Sequence, residues 1–306
     1  MFIDLPATAE QLLDPPQEKY DADGNLPPGV LADLLRDGSR RLDPQAVYEM
    51  EEAKAPGAKA PTRYVLLGGF GSGKSTIGQL LAQVHRAALL DRRPPHLLEP
   101  AVRDAISDTR AACDRERLSW PATPRYPFRV ELARFAKALA DGKASTLADY
   151  LRTALKGAAD LAHEDFLEWL KLAPSLLILD GLDEVPPTGN RDAVVGAVNT
   201  FLIEARHAGA DLFVVATSRR DGYEGEFGGG VVAFRSFRPL SETRALRCVE
   251  QYASTRFGDT TQAGDLVDKL RSAARNPLTA SLMSSPLQVT FMATVVSARG
   301  DPGQDR

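Results

Sequence analysis

The chain has 306 residues, with 37 lysines and arginines against 41 aspartates and glutamates and a formal net charge of −4. That balance excludes the broad basic face used in nucleic-acid binding, and no apolar run approaches the ~20 residues of a membrane span. Two distant cysteines (Cys113, Cys248) and four scattered histidines make no metal-ligand spacing, and the N-terminus lacks a signal peptide's basic and apolar regions. The expectation is a soluble cytoplasmic protein of one large or two ordinary domains, without membrane or nucleic-acid partners.

Residues 1–60 read as an N-terminal arm or linker. Met1–Leu5 has the pattern of a short strand, and Val30–Leu35 that of one or two amphipathic helical turns. Pro15-Pro16, Pro27-Pro28 and the alanine, proline and lysine run from Ala53 to Pro61 have linker composition. Asp21-Ala22-Asp23-Gly24-Asn25 faintly resembles a calcium loop. Its glycine is fourth rather than sixth and no glutamate stands twelfth, so it is read as a turn.

From Arg63 strand-like and helix-like segments alternate, the signature of an α/β fold with a mostly parallel sheet. Five strands are predicted at Arg63–Gly68, Phe128–Leu132, Leu176–Asp180, Leu212–Thr217 and Val231–Phe234. Several are continuous apolar runs, as strands covered on both faces require. Helices are predicted at Ile77–Leu90, Ala101–Arg117, Leu147–Leu155, Asp165–Leu172 and Arg191–Ala208. Residues 61–240 are assigned to this α/β domain. Beyond Pro239 the pattern is helical, through Phe257, near Ala263–Ala274 and Pro286–Ala298, and residues 241–306 are read as a partial helical domain with a polar tail.

Gly68-Gly69-Phe70-Gly71-Ser72-Gly73-Lys74-Ser75-Thr76 satisfies the P-loop pattern G-x-x-x-x-G-K-[ST]. It sits between the apolar run Tyr64–Leu67 and a helical pattern, the context this motif needs. Glycines let the backbone wrap phosphate so that N–H groups and the helix N-terminus face the charge. Lys74 is expected at the β- and γ-phosphates, and the Ser75 hydroxyl on Mg²⁺.

Leu176–Asp180 is a buried strand ending in a carboxylate, the shape of a Walker B element. Asp180 can complete the Mg²⁺ site with Ser75. The extra strand between the two motifs points to ATPases in which a strand separates them in the sheet. Gly181 follows Asp180 where strong ATPases place glutamate, so polarising water falls to Asp183 or Glu184, farther along the turn. Val214–Arg219 ends the next strand in Thr217-Ser218-Arg219. Strand ends of this kind face the ligand, and the Arg219 fork suits a γ-phosphate.

Together, residues 68–76, Leu176–Val185 and Thr217–Arg219 resemble the NACHT domain of the signal-transducing ATPases with numerous domains (STAND), whose mark is a small residue after the Mg²⁺ aspartate and an acidic pair two positions on. Softer matches are Tyr126–Leu132, Phe237–Ser241 and Ser285–Thr290, where the family's proline lies near adenine and Pro286 stands here. The resemblance covers about 63–298. Arg220 stands where the family often has proline. The winged-helix module and sensor repeats of complete members are missing, and the chain is expected to be a piece of a longer protein or a reduced member.

The resemblance implies a switch held closed as a monomer by ADP and opened to self-association by ATP, with slow Mg²⁺-dependent hydrolysis, in signalling or antiviral defence. A rapid-turnover motor ATPase is the alternative, opposed by Gly181. A GTPase lacks its Asn-Lys-x-Asp or Thr-Lys-x-Asp segment here, a transporter ATPase its Leu-Ser-Gly-Gly-Gln signature, and a small-molecule kinase a recognisable lid.

Overall fold

A computed structural model describes residues 5, 7–9, 29–42, 62–155, 161–186, 190–227, 232–258 and 260–298. Most of residues 1–28, with the Asp21–Asn25 turn, the run 53–61 and the tail 300–306 lie outside them. The chain divides into two compact units. One holds residues 31–67 and 74–235, the other residues 1–30, 68–73 and 236–306.

In the first unit β2 (Arg63–Leu67), β3 (Tyr126–Glu131), β4 (Ser175–Asp180) and β5 (Leu212–Ser218) form a parallel array in the order β2-β5-β4-β3. β6 (Val232–Phe237) joins β2 and makes the five-stranded sheet of a P-loop NTPase. A three-residue strand, β1 (Ala7–Ala9), belongs to the other unit. The sequence places a strand earlier, at Met1–Leu5; Leu5 is not in a strand, and residues 1–4 are among those not described. β5 lies between β2 and β4, so the strand leading into the glycine loop and the strand ending at Asp180 are not neighbours.

Both faces of the array are covered, which is why β4 is apolar without alternation. Leu177 and Leu179 face a core shared with Val65, Phe128, Val130 and Val214. Helices α4 (Leu132–Ala140), α5 (Leu147–Ala154), α6 (His163–Leu172) and α7 (Asn190–His207) close that core with Phe135, Leu151, Phe166 and Phe201. Opposite stand α1 (Val30–Gly38), α2 (Lys74–Leu90) and α3 (Pro100–Arg115). A Cβ added at Gly78 of α2 would lie 3.1 Å from Ile178 Cγ2, so the missing side chain lets α2 settle on β4.

A buried polar network fixes α1 to the strand starts. Arg125, fully buried just before β3, donates to Gly38 O (2.5 Å), Arg40 O (2.5 Å), Asp211 O (3.1 Å) and Asp211 Oδ1 (2.6 Å). The Tyr64 hydroxyl donates to Asp37 Oδ2 at 2.5 Å. Buried polar groups of this kind persist only when satisfied. The arm's helix thus extends to Gly38, three residues beyond the predicted turns.

The second unit carries α8 (Glu242–Phe257), α9 (Thr261–Ala274), α10 (Pro277–Ser281) and α11 (Pro286–Ala298). Ser241 and Thr260 cap α8 and α9 by accepting from Arg244 N and Ala263 N. Small residues, Ala245, Ala253, Ala274 and Ala293, pack beside Val249, Leu270 and Val289 in the buried interior of these helices.

Candidate nucleotide site

The carboxyl end of β4 carries a cluster of charged side chains. Asp180 is buried and held by three donors. Ser75 Oγ (3.0 Å) and Thr217 Oγ1 (2.8 Å) donate to Oδ1, and Arg129 Nη2 donates to Oδ2 at 2.6 Å. Thr217 Oγ1 in turn accepts the Gly181 N–H at 2.8 Å, tying the tips of β4 and β5 together. Gly181 has φ +78°, a left-handed conformation that lets the chain turn at once into the single helical turn Leu182–Glu184.

That turn points Asp183 back across the strand ends. Its Oδ2 lies 2.8 Å from Arg219 Nε, and its Oδ1 accepts the Arg219 N–H at 3.1 Å. The Glu184 carboxyl stands over Gly181, where an added Cβ would lie 3.2 Å from Cδ. Lys74 opens α2 beside Ser75. Burial pushes its ammonium below the ordinary lysine value, opposed first by the negative charge of Asp183 and less by Asp180 and Glu184. Among the described residues no group of three or more histidine, cysteine, aspartate or glutamate side chains gathers as an all-protein metal cage. The oxygen pair of Ser75 and Asp180 is the donor set present, and hard oxygen donors are what Mg²⁺ takes, alongside water and phosphate.

In the second unit the loop Gly68–Gly73 turns through two left-handed glycines, Gly71 (φ +70°) and Gly73 (φ +94°). A Cβ at Gly71 would sit 2.8 Å from Leu287 Cβ, and Leu287 N–H points to Gly71 O at 3.4 Å. A Cβ at Gly68 would meet Ser72 Oγ at 2.6 Å, whereas Gly69 has open space. Ser72 Oγ is buried without a partner among the described residues, and Phe70 is 78 % exposed. A cavity of about 350 Å³ opens here, lined by Gly69, Phe70, Ser72, Phe237, Pro239 and Pro286 among others. Such a volume is within the range of small-molecule sites. Pro286 begins α11 at this wall. Thr76, in the first turn of α2, is exposed.

The structure therefore gathers Lys74, Ser75, Asp180, Asp183, Glu184 and Arg219 in one unit, and the glycine loop with Pro286 in the other. Sequence reasoning gave no site role to Arg129 or to the Thr217 hydroxyl. A signal for Arg129 existed, because Arg129 and Glu131 interrupt an apolar strand of a two-faced sheet at alternate positions.

No family model matches the chain, and no curated protein matches it in sequence. Among solved structures the matches have low identity and TM-scores below 0.5. PCH-2 of C. elegans aligns with TM-score 0.45 and 11% identity over 93% of this chain and 65% of that one. The FIGL-1 AAA domain in complex with ADP gives 0.41 and 12% over 98% and 78%. Domain III of the Thermotoga maritima replication initiation protein DnaA gives 0.36 and 14% over 82% and 90%. The chain spans 60% of a DNA replication initiation factor and 65% of PCH-2. The protein has the fold of a P-loop NTPase, and no helix among its described residues is long and apolar enough to cross a membrane.

Proposed function

We propose that the protein binds ATP and ADP with Mg²⁺ and hydrolyses ATP slowly, as a nucleotide switch of the NACHT and STAND kind. The observation that carries this reading is the pair Ser75 Oγ and Asp180 Oδ1, 3.0 Å apart, at the helix that continues a P-loop sequence. Both are hard oxygen donors, and the pair fits Mg²⁺ with phosphate and water completing the shell. When bound, the ion supplies positive charge to the phosphate oxygens. Backbone N–H groups of Gly68–Gly73 cradle the phosphates, Lys74 reaches the β- and γ-phosphates, and Thr76 follows in the first helical turn. Pro286 is the residue that the family resemblance sets near adenine.

Slow turnover follows from the carboxylates. Gly181 occupies the position next to Asp180, so Asp183 or Glu184 must orient the water. Both oxygens of Asp183 are engaged by Arg219. The Arg219 guanidinium stabilises the ionised Asp183 and so makes it a weaker base, and a shift of that side chain toward the γ-phosphate would restore its basicity. In this reading residues 61–240 form the nucleotide domain, residues 241–306 begin a helical domain, and ATP promotes self-association.

Calorimetry tests the site. A charge-assisted phosphate contact contributes roughly 1.5–3 kcal/mol, so Lys74→Ala should weaken ADP binding about ten- to a hundredfold. Asp180→Asn should remove most of the Mg²⁺-dependent gain and leave metal-free affinity nearly unchanged. Equal affinity in wild type and Lys74→Ala overturns the assignment.

A further inference from the structure

We propose that Arg129 is a positioning residue that sets the charge of the Asp180 site, so that a divalent cation is held only together with a phosphate ligand. The inference rests on the nucleotide reading above. Its basis is the division of Asp180 between two sets of partners. Oδ1 takes the hydroxyls of Ser75 and Thr217, both neutral donors. Oδ2 takes a guanidinium at 2.6 Å, in a pair whose aspartate is 5% exposed and whose arginine is 27% exposed. At that distance and burial the positive charge of Arg129 offsets the carboxylate where a cation would feel it most.

The remaining charges do not restore the deficit. Glu131, the other partner of Arg129 at 3.1 Å, is itself paired with Arg134 at 2.6 Å. Asp183 is paired with Arg219, and Lys74 adds a further positive charge beside Ser75. Glu131 and Asp183 are thus each matched by a cationic side chain, which leaves Glu184, over Gly181, as the further carboxylate of the cluster. A bare divalent ion arriving at such a cluster meets a carboxylate already engaged by a guanidinium. An ion that brings phosphate oxygens carries its own compensating charge and loses little.

Arg129 also fixes the plane of the Asp180 carboxyl. A carboxylate has about four acceptor positions in its plane. With Oδ2 anchored on β3, Oδ1 is kept toward Ser75. Glu131 is placed to share the guanidinium, because β3 and β4 pair with Glu131 opposite Asp180. The two carboxylates form a divided anchor for one arginine, and the share each takes regulates how much charge Asp180 shows to the site.

The test is a Mg²⁺ titration of ADP affinity by calorimetry, with Mn²⁺ binding in the absence of nucleotide read by electron paramagnetic resonance. Arg129→Gln keeps a donor to Oδ2 and removes the charge. The Mg²⁺ concentration for half of the affinity gain should fall by about three- to tenfold, as expected for a unit charge removed at short range in a partly exposed site. Nucleotide-free Mn²⁺ binding, absent in wild type, should become measurable. Arg129→Lys should keep the wild-type midpoint. Glu131→Gln should move it upward, because the arginine is then held by Asp180 alone. If Arg129→Gln does not fold, as judged by its melting transition, the Glu131→Gln and Arg129→Lys arms decide the matter. Unchanged midpoints in Arg129→Gln and Glu131→Gln, in a protein whose wild type shows a Mg²⁺-dependent gain, overturn this inference alone. Absence of that gain in the wild type overturns the nucleotide reading beneath it.

Discussion

Replacing Arg125 with leucine removes the hub of the network that joins α1 to the strand starts. Arg125 is fully buried and makes four bonds of 2.5–3.1 Å to Gly38, Arg40 and Asp211. Among the described residues the substitution leaves the 5%-exposed Asp211 side chain with only Arg41 Nη1, at 3.7 Å, as a charged partner. Breaking one side of a buried pair costs about 3–5 kcal/mol, whereas exchanging both partners for apolar residues is often neutral. A unit of about 200 residues loses roughly 2–4 °C of melting temperature per kcal/mol, so Arg125→Leu should melt about 6–20 °C lower. The double variant Arg125→Leu with Asp211→Leu should recover much of the loss. Circular dichroism melts measure both. ADP affinity below the transition should stay at the wild-type value, because Arg125, Ser175 and Asp211 stand at the amino ends of β3, β4 and β5, away from Asp180. A drop under about 3 °C for the single variant, or no recovery in the double, refutes the reasoning.

His85 should make the fold acid-sensitive. Its Nδ1 accepts Arg125 N–H at 3.1 Å, its Nε2 has no partner among the described residues, and burial together with the Arg125 charge lowers its pKa to about 3. The unfolded histidine titrates near 6.5, so the contribution is complete above that pH. It declines as pH falls from about 6.5 toward 3, by up to ~1.4 kcal/mol per unit. Melting curves at pH 7.5, 6.5 and 5.5 should fall more steeply in wild type than in His85→Gln; parallel slopes would remove the argument. Gly181→Ala forces a side chain into the left-handed region, at a cost of about 1–2 kcal/mol. It should therefore melt lower than Gly181→Asn, and equal melting of the two would show that the turn is not strained. Asp183→Asn should slow single-turnover ATP hydrolysis while ADP affinity is retained, and an unaltered rate passes the water-orienting role to Glu184. Limited proteolysis in ATP should differ from that in ADP at residues 235–245, and identical patterns in both remove the case for a hinge there.

The centre of the sheet was legible because β4 and β5 are buried on both faces and so are continuous apolar runs, and Leu176–Asp180 ends such a run in a carboxylate. Pro286–Ala298 was legible because proline suits the first helical turn. The helix Leu132–Ala140 was not, because it begins at the residue directly after β3, with no glycine, proline or capping side chain to mark the change. Leu132 was consequently counted as strand. The cluster around Asp180 was half visible. Ser75 and Asp180 lie in motifs, but Arg129 acts across the β3–β4 pairing, and register is not written in either strand alone. The Asp183–Arg219 pair was hidden for the same reason, since it joins two strand ends that lie far apart in sequence.

What Arg125 grips on the segment after α1 is main-chain oxygen, the one feature all amino acids share. The identity of residue 40 is therefore free to drift so long as the backbone path is kept, whereas residue 38 is held to glycine by Phe213, 3.3 Å from where a Cβ would stand, and the number of residues is fixed. One residue added or lost between Leu35, which is anchored in the core, and Arg40 displaces the gripped carbonyls by a chain step of about 3.8 Å, farther than a hydrogen bond can stretch. Across variants of this protein position 40 should tolerate altered spelling, while the stretch from 35 to 40, with Leu35 and Asp37 buried in it, should reject altered length.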